Sequence, residues 1–130
     1  MLSLFVCGLQ MASPVAAAKL IDHGSHYDSE SSTATTWKTY QYSANYIIVK
    51  MKTYQKGKIK DTSTITIKKV SAKKLKLVQV FQTKEKNPDG LMSYFYVKGT
   101  TYLKYSSNAR KFYYNEIRPG LLEGSLWSVS

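Results

Sequence analysis

Seven lysines, Lys50, Lys52, Lys58, Lys60, Lys68, Lys74 and Lys76, alternate with apolar residues and threonines through residues 46–82. The stretch reads YIIVKMKTYQKGKIKDTSTITIKKVSAKKLKLVQVFQ and holds ten of the chain's 19 Lys+Arg residues against one acid, Asp61. Primary amines at neutral pH are point cations. Repeated at every second residue, they attract polyanions without the bidentate geometry that reads bases or single phosphates. The chain has lysine at 17 of those 19 positions and arginine only at Arg110 and Arg118, so sequence-specific nucleic-acid recognition is disfavoured. Ile47, Val49, Met51, Ile65, Ile67, Leu75, Leu77 and Phe81 take the other parity. A period of two is the pattern of a strand with one buried and one wet face. If these strands neighbour one another in a meander, the seven lysines share one sheet face. Thr62, Thr64 and Thr66 interleave with them, and Tyr46 and Tyr54 flank them.

Catalytic constellations are not found. No histidine follows His26, so Ser-His-Asp and Cys-His arrangements are excluded for residues 37–130. The acids of that region are Asp61, Glu85, Asp89, Glu116 and Glu123. Glu116 with Glu123 is the one candidate carboxylate pair of glycosidase type. Such a pair needs its carboxyls about 5–10 Å apart beside a sugar groove, and nothing in the spacing supplies that. His23 and His26, with Asp22, Asp28 and Glu30 near them, have the donor types of a Zn²⁺ or Cu²⁺ site. A metal site also needs rigid, supported ligands, and this tract reads as solvated. There is no Gly-rich phosphate loop. The expectation is a non-enzymatic protein with no metal and no cofactor.

The segments that position these residues divide the chain in three. Residues 1–18 carry no charge. Leu2, Leu4, Phe5, Val6 and Leu9 form an apolar run, Ser13-Pro14 breaks it, and Ala16-Ala17-Ala18 follows. That order is the order of a secretory signal peptide, with cleavage expected after Ala18. The run is shorter than the ~20 apolar residues of a membrane-spanning helix, and no apolar anchor follows Gly124. Val6 ahead of Cys7 argues against a lipoprotein. Loss of the only cysteine on cleavage leaves a thiol-free secreted protein, which points to a bacterial source. Residues 19–36, rich in Ser and Thr from Ser29 on, read as a flexible linker.

Residues 37–130 read as one antiparallel all-β domain. Strands are expected over 37–42, 46–54, 58–69, 74–83, 91–97 and 100–105, then over 111–117 (with a helical turn set as the alternative) and 121–130. Turns are expected at Gln55-Lys56-Gly57, at Asn87-Pro88-Asp89-Gly90, at Lys98-Gly99 and at Arg118-Pro119-Gly120. About seven to eight short strands with turn signals between them favour a small sandwich or barrel. The eleven tyrosines suit strands and can fill a thin core. Tyr94, Tyr96, Tyr102 and Tyr105 are therefore assigned to core and cross-strand packing in preference to base stacking.

Net charge is +11 and apolar content 43%, a folded basic domain rather than a disordered tail. The function expected is binding of an anionic cell-wall or surface polymer through the lysine face, by a secreted protein retained at the cell wall electrostatically. The alternative is a secreted module of inhibitor or immunity type that binds a protein partner through a Tyr-rich surface, its lysines serving solubility.

Overall fold

A computed structural model describes residues 17–124. The described residues are mostly β: six strands in one open antiparallel sheet, then a short helical segment on one face. The strands are β1 (Lys19–Asp28), β2 (Thr33–Ser43), β3 (Tyr46–Gln55), β4 (Lys58–Ser71), β5 (Lys74–Lys86) and β6 (Met92–Lys104), and they lie in the sheet in chain order. The helical segment runs through α1 (Ala109–Phe112), a π-helical turn (Tyr113–Ile117) and α2 (Arg118–Glu123).

Strands β3, β4 and β5 follow from the alternation of their buried residues, and the tight hairpins from their turn residues. Lys56 and Gly57 both adopt positive φ, 54° and 76°, the pair that a two-residue loop needs to match the strand twist. Asp28 caps the first turn, accepting from the Glu30 amide and the Ser31 hydroxyl. The chain leaves β5 through Asn87-Pro88-Asp89-Gly90, closed by Gly90 N–H donating to Asn87 O at 2.9 Å.

The core lies between one sheet face and the helical segment. Trp37, Ile47, Val49, Met51, Ile65, Ile67, Leu75 and Leu77 meet Ala109, Phe112, Tyr113, Ile117 and Leu121. These helical residues recur at three- and four-residue spacings, which puts them on one stripe. Burying each large aliphatic side chain contributes about 1.5–3 kcal/mol. Asn108 caps the segment, its side-chain oxygen accepting from Lys111 N–H at 2.8 Å. Pro119 has no N–H to give to the preceding turn, and the ladder widens to the π form just ahead of it.

Several expectations are corrected. The sheet is open, with a helix on one face, rather than a sandwich or barrel. Residues 19–36 are not a flexible linker but β1, a turn and the start of β2. What orders β1 is long-range. Tyr113 and Arg118 both donate to Asp22, and Gly24 lies under Trp37, where a Cβ would come within 2.5 Å of the indole. Residues 111–117 are helical rather than a strand, and residues 118–123 continue the helix in place of a turn and closing strand. Tyrosine's strand preference yields here to the buried stripe. The expected turn at Lys98-Gly99 is continuous strand within β6, because every residue there pairs in register with β5. The expected signal peptide and the last residues, 125–130, lie outside the described residues.

Candidate functional site

The face opposite the helix is open, and its residues can be read from the pairing register. Lys38 lies opposite Lys50 across β2–β3, Lys68 opposite Lys76 across β4–β5, and Lys74 opposite Lys104 across β5–β6. Lys52 pairs with Thr62, Lys98 with Val80 and Lys84 with Tyr94, all on the same face. Like charges directly opposite in a sheet repel, and this face holds three such pairs.

Of the seven lysines singled out by parity, Lys50, Lys52, Lys68, Lys74 and Lys76 share this face. A bulge separates the other two. The register slips between Thr53–Asp61 and Tyr54–Ile59, so Lys60 is the extra residue and Lys58, opposite Gln55, falls to the helix side. Lys60 nevertheless lines a shallow open-face groove of about 200 Å³ with Thr62, Gln82, Lys84 and Tyr94. Lys38, Lys84, Lys98 and Lys104 were missed by the sequence reading. Reading 92–104 as one unbroken alternation would have found the last two.

None of the chain's eight acidic residues is on this face. Asp22, Asp28, Asp61 and Glu85 are on the helix side, opposite Thr39, Thr33, Thr53 and Ser93. Glu30 and Asp89 are in turns, and Glu116 and Glu123 are exposed on the helical segment. Instead of acids, the lysines have tyrosines. Lys50 Nζ lies 5.5 Å from the Tyr40 ring centre, Lys68 Nζ 5.5 Å from Tyr46, and Lys74 Nζ 5.9 Å from Tyr102. A cation over a ring gains about 0.5–1 kcal/mol at exposed sites and stays free to meet an anion. Tyr42 and Tyr46 stack at 5.0 Å.

The tyrosines of β6 are also corrected. Tyr94, Tyr96 and Tyr102 are 75%, 61% and 57% exposed, so they are surface residues and only Tyr105 packs against the core. The two histidines diverge: His23, opposite Lys38, is on the open face, while His26, opposite Thr35, faces the helix side, against Gly124.

The helix side carries a buried polar chain of different character. The Thr39 hydroxyl donates to Tyr113 Oη at 2.7 Å, Tyr113 donates to Asp22 Oδ2 at 2.7 Å, and Arg118 Nε donates to the same oxygen at 2.8 Å. Burial, reinforced by the Asp22 carboxylate, pushes the Tyr113 phenol well above the ordinary tyrosine range. Every member of this chain is satisfied, and it joins β1, β2 and the helix. Lys69 is likewise held, donating to the carbonyls of Tyr105 and Ser107. Among the described residues no helix is long and apolar enough to cross a membrane. No family model matches the chain, and neither a curated protein nor a solved structure matches it.

Proposed function

We propose that this is a secreted, non-enzymatic protein that binds anionic cell-surface polymers with the open face of its sheet. The observation that carries the reading is the sorting of charge: lysines on the open side of five of the six described strands, three pairs directly opposed, and no acid among them. A surface selected for solubility mixes both signs, and lysines set against each other cost stability that a bound polyanion returns. The tyrosines beside Lys50, Lys68 and Lys74 engage the ammonium groups without neutralising them. Secretion rests on the leader pattern of residues 1–18, and wall retention on the net charge of +11.

The test is a salt titration of the full-length chain on isolated bacterial cell walls, with and without their phosphate polymers, and on duplex DNA. Affinity is expected to fall linearly in log–log with salt. Each phosphate contact contributes about 0.9 to the slope on duplex DNA. Changing Lys50, Lys52, Lys74 and Lys76 to Gln should therefore lower the slope by about three to four, and Lys58→Gln should leave it almost unchanged. No binding at physiological salt, or equal slopes for the quadruple variant and the parent, would overturn the reading.

A further inference from the structure

The two edges of the sheet are built differently. Strand β1 is kinked by a register shift at Ile21 and tied to the helical segment through Asp22. Strand β6 has no neighbour on its outer side among the described residues. Its thirteen residues pair with β5 without a single shift, while each of the other four strand pairs has one. Bulges, prolines and inward charges are how proteins blunt an edge, and 92–97 has none of them. The run Leu91-Met92-Ser93-Tyr94-Phe95-Tyr96-Val97 is uncharged. Phe95 and Val97 are 53% and 60% exposed on the helix side, beyond the buried core cluster, and Tyr94 and Tyr96 are exposed on the open face.

We infer that β6 pairs antiparallel with β6 of a second copy about a two-fold axis at Tyr96. The self-complementarity of the run points to a second copy, and charge selects the register. Two chains of net charge +11 repel, and this neutral run is where they can approach. Centring on Tyr96 sets Phe95 opposite Val97 of the partner copy on one face and Tyr94 opposite Lys98 of the partner copy on the other. A tyrosine directly opposite a lysine already gives a cation–ring contact within the chain, at Tyr46 and Lys68. Centring two residues later, on Lys98, would oppose lysine to lysine. An antiparallel edge pair about an axis normal to the sheet keeps both open faces on one side. The product joins the twelve described strands of the two copies into one sheet with a doubled lysine surface. The inference stands on the edge and its charge, independently of what the lysines bind.

The experiment is the solution mass of the full-length chain by sedimentation equilibrium, from micromolar to submillimolar concentration, at low and high salt. A two-chain mass is expected, with association at least several-fold tighter in high salt because salt screens the net repulsion; polyanion binding has the opposite salt dependence. Val97→Lys, at an exposed position, should retain the far-ultraviolet spectrum and return the mass to one chain. In a Cys7→Ser background, oxidised Tyr96→Cys should form a covalent dimer and Tyr102→Cys should not. A single-chain mass at every concentration, a dimer indifferent to Val97→Lys, or cross-linking at 102 but not 96 would each overturn the inference.

Discussion

The two faces of the sheet share every backbone hydrogen bond and differ in everything their side chains do. The helix-side face buries aliphatic residues, gathers Asp22, Asp28, Asp61 and Glu85, and satisfies its buried phenol with partners on both sides. The open face holds lysines, threonines and tyrosines and places like charges opposite one another. One face is arranged for the stability of the chain alone. The other is stable in spite of its own repulsion, which is the arrangement expected of a surface completed by something else.

The largest effect should come from testing adjacent residues on opposite faces. Leu77 is 2% exposed and packed in the core, while its neighbour Val78 points to the open face. Leu77→Ala should cost about 2–5 kcal/mol through lost burial and the cavity left behind. Val78→Ala should cost about 1 kcal/mol, because a side chain that is only partly buried loses less transfer free energy and leaves no closed cavity. Urea unfolding measures both. Similar losses would mean that the open face is also packed, against a partner that survives purification.

Next in size is the buried polar chain. Tyr113→Phe leaves Thr39 and Asp22 each short of a partner and should cost about 1–3 kcal/mol. Its pH dependence has a definite sign. The folded-state pKa of Tyr113 is raised above the unfolded value of about 10. The phenol's contribution is therefore fully present below pH ~10 and is lost as pH rises through the folded value. The stability difference between the parent and Tyr113→Phe should be constant up to about pH 9 and shrink above pH 10. Lysines titrate in the same range, but both proteins carry them, so they cancel in the difference. A difference that widens with alkalinity would show that Tyr113 is not held neutral by its surroundings.

Gly24→Ala should cost about 1–3 kcal/mol by overpacking, because its Cβ would meet the Trp37 indole. Near-ultraviolet dichroism of that tryptophan is the readout alongside stability. An unchanged spectrum and stability would mean that β1 does not lie against Trp37, and would return residues 19–28 to the loose lead that their composition suggests.

That possibility marks where local pattern was enough and where it was not. Strands β3, β4 and β5 were legible because Ile47, Val49, Ile65, Ile67, Leu75 and Leu77 keep a strict period of two beneath the helix. Strand β1 was not, because what orders it lies about ninety residues away, at Tyr113, Tyr114 and Arg118. The helical segment carried a readable signal, Asn108 as cap and Ala109, Phe112, Tyr113, Ile117 and Leu121 as stripe. Aromatic strand preference and the Pro119-Gly120 pair outweighed it, although proline is tolerated in the first turn of a helix, where Pro119 sits in α2. On the lysine face, parity placed five of seven residues and failed at Lys58, since a single bulged residue reverses every side chain beyond it.

The smallest effect is the one that bears most directly on the open face. Lys76 lies opposite Lys68, and no acid lies beside them on that face. Lys76→Gln should therefore raise stability, by about 0.2–1 kcal/mol at low ionic strength. The gain should vanish near 1 M salt, where the screening length falls to about 3 Å. A double-mutant cycle with Lys68→Gln isolates the pair: the coupling should be repulsive at 10 mM salt and absent at 1 M. Helix-side Lys58→Gln, opposite the neutral Gln55, should show no such salt-dependent gain. A stabilisation common to both positions would reflect net charge alone. One confined to the opposed pair would show that the sheet stores repulsion on the face where a polyanion would release it.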